Sequence, residues 1–208
     1  MNTAGTMGLT ATHIGQIKNY MNKIIAYSLL TILVLISFNA NSQKKHPMTT
    51  HDFTTTLVVD QTPAEVFKAI QNVRGWWSEE IEGGTSKLND VFTYHFQDVH
   101  RCKMKLVEVV PNKKMVWLVL ENHFNFTNDS SEWIGNKVVF DISRKGNKTS
   151  LHFTQIGLVP EYECYTICHD AWTKYIQTSL RDLIVTGKGE PNGKEKPQTA
   201  DEKRLSGK

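Results

Sequence analysis

Cys164 and Cys168 stand four residues apart, and His169 follows directly. Sulfur and nitrogen donors on one stretch of helix could hold a soft divalent metal. No fourth ligand follows at a recognisable spacing, so two small side chains buried on one helix face are the simpler reading. Neither a metal nor a cofactor is expected. With Cys102 the chain has 3 cysteines, which is no disulfide framework. His95, His100, His123, His152 and His169 are scattered along the chain, and none has a partner at the H-E-x-x-H spacing. Glu79, Glu80 and Glu82 would supply a general base only if one reached a pocket and had its pKa raised; a solvated loop explains them equally. The sequence has no G-x-S-x-G elbow and no glycine-rich phosphate loop. It therefore shows no assembled catalytic group, and binding is expected before catalysis.

The elements that would position these residues follow from periodicity. Phe53 to Val59 alternates as a strand. Thr62 and Pro63 open a short helix whose apolar stripe is Val66, Phe67 and Ile70. Gly75-Trp76-Trp77 follows. Strands are then expected at Val91–Phe96, Arg101–Val110, Lys114–Leu120, Lys137–Ile142 and Ser150–Gln155, the last two as a hairpin. Glu121 to Gly135 reads as a long polar loop, a candidate flap. After Pro160 the period changes to 3.6. Tyr165, Cys168, Trp172, Tyr175, Ile176, Leu180 and Leu183 form one stripe of a helix of about 23 residues, about 35 Å long, ended by Gly187 and Gly189.

An antiparallel sheet with one apolar face must cover it, and only the last helix is long enough. The expected fold class is α+β, a curved antiparallel sheet wrapped around a long C-terminal helix. Phe92, Tyr94, Phe96, Met104, Trp117, Phe140 and Phe153 would face the gap from the sheet. Cys168, Trp172, Tyr175 and Ile176 would face it from the helix, with Gln155 and Tyr94 as orienting polar groups. Such rings line small-molecule pockets and equally fill solid cores; the pattern leaves both open.

The segments "TPAEVFKAI", "WW", "SLHFTQIGLVPEYEC" and "AWTKYIQTSLRDLIVTGKGEPN" resemble the SRPBCC superfamily. That superfamily includes lipid-transfer START domains, the birch-pollen-allergen fold and polyketide cyclases. The branch it looks most like is the domain related to the activator of heat-shock-protein ATPase. The resemblance runs over roughly residues 50–191 and implies the helix-grip fold. It also implies Trp76 and Trp77 at the mouth of a groove, the Trp172 face of the last helix as its floor, and a polar position at Gln155.

Three functions are compatible with this frame. The leading one is binding of a small apolar or amphipathic ligand between sheet and helix. The second is a chaperone-helper-like protein-interaction module. The third, a cyclase- or hydrolase-type enzyme, requires an acid–base residue inside the cavity. The net charge of +3, from 24 basic and 21 acidic residues, argues against a nucleic-acid partner. Residues 48–191 form the expected domain, and residues 192–208, rich in Lys, Glu and Gly, read as a disordered tail.

Residues 1–47 are a separate segment. Lys23, the apolar run Ile24 to Phe38 and Ala40-Asn41-Ser42 have the form of a signal peptide or anchor over residues 21–42. The chain is then exported or membrane-anchored, with the membrane touched only through this segment, if it stays uncleaved. Translation from Met48 would make it cytoplasmic instead. N-terminal sequencing of native protein is expected to begin at Gln43, and an intact Met48 terminus in a cytosolic fraction would contradict export.

Overall fold

A computed structural model describes residues 52–193 and 197–207; the export or anchor segment, residues 21–42, lies outside the described residues. The elements are β1 (Phe53–Val59), α1 (Pro63–Gln71), a 3-10 turn (Val73–Gly75), β2 (Glu82–Gly83), β3 (Val91–Phe96), β4 (His100–Val110), β5 (Lys114–Phe124), β6 (Lys137–Lys145) and β7 (Lys148–Ile156). The strands form one antiparallel sheet in the order β1-β7-β6-β5-β4-β3-β2. The alternation expected from sequence is present: Phe92, Tyr94 and Phe96 on β3 and Leu151, Phe153 and Gln155 on β7 all turn inward. Register shifts in the β4–β5 pair at Lys103/Met104 and Leu106/Glu108 add local bend and twist, which helps the sheet curl. Among the described residues, no helix is long and apolar enough to cross a membrane.

Helix α1 starts where its sequence dictates. The Thr62 side chain accepts from the Glu65 backbone N–H, the Thr62 N–H donates to the Glu65 carboxylate at 2.7 Å, and Pro63 sits in the first turn.

The long helix α2 covers the concave face as one continuous rod. It is α-helical over Tyr165–Lys174, π-helical over Tyr175–Leu180 and α-helical again over Arg181–Thr186. Gly187, at φ 79°, closes it in the left-handed conformation that glycine adopts without strain. The π segment is invisible to a 3.6-residue pattern, since it inserts a wider turn in an unbroken apolar stripe. Tyr175, Ile176, Ser179 and Leu180 are buried in it.

Two expectations need correction. Strand β5 continues to Phe124, so residues Glu121–Phe124 are ladder and not loop: Lys103 pairs with Glu121 and His100 with Phe124. The loop that remains is pinned down. The Glu132 carboxylate accepts the backbone N–H groups of Glu163 at 2.5 Å and Cys164 at 3.0 Å, satisfying donors that precede α2. Asn128 donates its backbone N–H to Glu163 at 2.7 Å.

The second correction is the tail, expected to be disordered. After Gly187 the chain folds back. The Asn192 N–H donates to the Trp77 carbonyl at 2.8 Å, and the Glu79 N–H donates to the Asn192 carbonyl at 2.9 Å. A short helix α3 (Ala200–Leu205) then follows, with Thr199 and Glu202 making a capping box. Composition misled here because one buried acid and one leucine hold this segment against the domain, and neither alters the tail's polar average.

Ser179 ties the return to the π segment. Its hydroxyl donates to the Trp76 carbonyl at 2.6 Å and accepts from the Glu190 N–H at 2.7 Å, and the residue is fully buried. Ser179→Ala is expected to cost about 1–3 kcal/mol, because it leaves a buried carbonyl without its donor. Urea unfolding of the two proteins checks this; an unchanged midpoint would contradict it.

Candidate functional site

The five tryptophans of the chain are all buried and form one connected cluster. Trp76, Trp77 and Trp117 stack at centroid distances of 6.2–6.3 Å. Trp77 reaches Trp172 at 5.0 Å, and Trp172 stacks on Trp133 at 6.0 Å. The Trp172 indole N–H donates to the Gln155 side-chain carbonyl, so the α2 ring is fixed by the strand position expected to be polar.

Beside this cluster lies a small cavity of about 50 Å³. Six of the fourteen residues expected at the site border it: Trp77, Tyr94, Phe96, Cys168, Trp172 and Tyr175. The other eight, Trp76, Phe92, Met104, Trp117, Phe140, Phe153, Gln155 and Ile176, are buried in the packed core and do not line it. Trp76 in particular is not at a mouth: it is fully buried, and its indole N–H donates to the Ile70 carbonyl at 3.3 Å.

The rest of the wall was not anticipated. It comes from the β3–β4 turn (Val99), the start of β4 (His100) and the end of β5 (Phe124), from the pinned loop (Phe126, Trp133), from Ile167 and Ala171 on α2, and from Glu202 and Leu205 on α3. Phe124, Phe126 and Trp133 could have been singled out in sequence as large apolar side chains in a mostly polar stretch. Glu202 and Leu205 carried no such signal.

The polar groups at the cavity are few. The Tyr175 hydroxyl donates to the Glu202 carboxylate at 2.8 Å. The same carboxylate accepts the backbone N–H groups of Gln198 and of Thr199, the latter at 2.9 Å. Burial, and then the Glu202 charge, push the Tyr94 phenol well up; burial, and then Tyr94 and Glu202, do the same to Tyr175. Both phenols therefore stay protonated and remain donors. The Trp133 indole N–H has no oxygen or nitrogen partner, only the Cys168 thiol beside it. Burial raises the Cys168 thiol first, and its contact with Cys164 adds to the effect, so it is not a thiolate. Cys164 and Cys168 thus sit inside as small apolar groups. Among the described residues, no cluster of three His, Cys, Asp or Glu side chains could hold a metal.

His100 faces the same space. Asn122 donates its amide N–H to the Ser130 carbonyl at 2.9 Å, which leaves the Asn122 carbonyl to accept from His100 Nε2 at 2.9 Å. Its pKa is pushed down to about 4, chiefly by burial, with the Asn122 hydrogen bond opposing.

These features are those of the helix-grip fold, a curved antiparallel sheet closed over a long C-terminal helix. No family model matches the sequence, and no curated protein matches it. Among solved structures, the fold is similar to the Aha1 dimer from Colwellia psychrerythraea, with a TM-score of 0.54 and 20% identity over 66% of this chain and 98% of that one. It is also similar to MLL2253 from Mesorhizobium loti, with a TM-score of 0.51 and 13% identity over 64% of this chain and 96% of that one. Mll3558 from Rhizobium loti gives a TM-score of 0.50 and 14% identity over the same shares. At these identities the likeness concerns the fold and not the activity.

The His100 shift has a sign that can be measured. A histidine that resists protonation in the folded chain contributes stability that is complete above about pH 6.5, its unfolded pKa. That stability is lost as pH falls toward about 4, because the unfolded chain takes up the proton that the folded one refuses. The loss is on the order of 2–3 kcal/mol, with screening at the partly exposed ring edge already discounted. His100→Gln is expected to flatten the slope of stability against pH between 6.5 and 4 in chemical denaturation; an unchanged slope would contradict the assignment.

Proposed function

We propose that the protein binds a small apolar or amphipathic ligand in the space between the sheet and α2. The observation that carries this reading is the composition of the cavity wall. Rings from β3, α2 and the pinned loop surround the space, donors sit at its edge, and one side is closed by a tail segment instead of by sheet or main helix. A wall made by a six-residue helix can leave at far smaller cost than one made by a seven-stranded sheet. With the tail in place, about 50 Å³ is well below the roughly 300–1,000 Å³ of ligand pockets. Binding therefore requires the tail to move.

The small volume itself favours a second reading, a protein-interaction module acting through its surface around a solid interior. Trp172 separates the two. In a packed core, Trp172→Ala costs about 3–5 kcal/mol, and no probe binds the wild type. At a wall facing a ligand space, truncation loses fewer contacts, and wild-type tryptophan fluorescence responds to members of a panel of fatty acids, sterols and small aromatics. The expected outcome is saturable binding of at least one class to the wild type, with altered affinity in Trp172→Ala. Full loss of stability together with no wild-type binding would leave the interaction module as the reading.

A further inference from the structure

Resting on the ligand-binding reading, we propose that α3 is a built-in occupant of the site and that Glu202 stands where the head group of a carboxylic-acid amphiphile binds. Glu202 belongs to a segment of polar composition, yet its residue is only 7% exposed. A capping box alone would need the Glu202 carboxylate to reach only the backbone of its own helix start, as Glu65 does in solvent at α1. Here one oxygen does that, and the other accepts the hydroxyl of Tyr175, a core residue of α2. The pairing links the tail to the centre of the domain. Leu205 lies one helical turn on and borders the same cavity. An acid followed by an apolar group, lodged against Tyr175 with rings around it, has the chemistry of a short amphiphile.

Once the tail withdraws, three donors are left at this end. Tyr175 loses its acceptor, Tyr94 is held protonated beside it, and the Trp133 N–H already has no oxygen or nitrogen partner. Buried donors without acceptors are unfavourable, and a ligand that supplies an acceptor removes that cost. A carboxyl group can accept the Tyr175 hydroxyl as Glu202 now does. A hydroxyl does it less well, and an ammonium, which only donates, does not. The hydrocarbon part of the ligand would lie along Trp77, Phe96 and Trp172, which border the same cavity as Leu205.

The test uses the full chain with decanoic acid, decanol and decylamine as probes, in wild type and in Glu202→Ala/Leu205→Ala. Removing both tail anchors is expected to tighten decanoic acid binding at least about tenfold, since the probe no longer competes with an intramolecular occupant. Decanol should bind more weakly than the acid, and decylamine weakest. Hydrogen exchange on the wild type gives a second readout that needs no variant: saturating decanoic acid should speed exchange over residues 198–206 while slowing it along α2. Equal affinity in both proteins, with tail exchange unchanged by the acid, would overturn the occupant while leaving ligand binding intact. Decylamine binding as well as decanoic acid would overturn the head-group assignment. No binding of any probe in either protein would overturn this inference, and the fatty-acid, sterol and aromatic panel with Trp172→Ala would then decide the ligand-binding reading. Should the double variant fail to fold, the wild-type exchange result decides.

Discussion

Trp172 is the contact on which the architecture turns. Its ring packs against Phe153 of β7 at 4.9 Å, Trp77 at 5.0 Å and Trp133 of the pinned loop at 6.0 Å, and its N–H is held by Gln155. A single side chain on α2 therefore registers sheet, loop and the Trp76–Trp77 corner together. The helix can grip the sheet only where that ring fits, and the fit also sets where space is left over. Behind Trp172, around Trp117, Phe140 and Phe153, the interior is closed packing with fully buried rings. In front of it, toward Tyr94, Tyr175 and the tail, the packing opens into the cavity.

The layout of the fold was legible in the sequence because it rests on two periodicities. Alternation placed Phe92, Tyr94 and Phe96 on one sheet face, and the 3.6-residue stripe placed Cys168, Trp172 and Ile176 on the helix. The site was only partly legible. Alternation assigns a side chain to a face, not to a position along the depth of the interior, so Phe92, Trp117 and Phe140 could not be told apart from Tyr94 and Phe96. The missed residues entered through contacts far apart in sequence. Glu132 reaching the start of α2 brings Trp133 inward, and the backbone bonds of Asn192 at the Trp77 corner bring the tail back. Neither contact has a local pattern. The end of β5 was misread because Glu121 and Asn122 are polar, although their ladder is supported by Lys103 and His100 across the strand pair.

The two ends of the site differ in how firmly they are held. The sheet and α2 share a continuous core, whereas α3 is a six-residue helix that could not persist alone in water. It stays through the Tyr175–Glu202 hydrogen bond and the partial burial of Leu205 against the core. Local opening is drawn from such weakly held segments, so the structure pairs a rigid ring-lined interior with a closure of low intrinsic stability. The proposed binding mode draws on that pairing.

The most direct measurement is a nitrogen–proton correlation spectrum of the full chain, in which each tryptophan contributes one indole N–H signal, recorded during titration with decanoic acid. The account predicts that the Trp133 and Trp172 signals at the cavity shift and saturate together, while those of Trp76 and Trp117, packed behind, stay in place. Five unmoved indole signals at saturating acid would contradict a ligand site between sheet and helix.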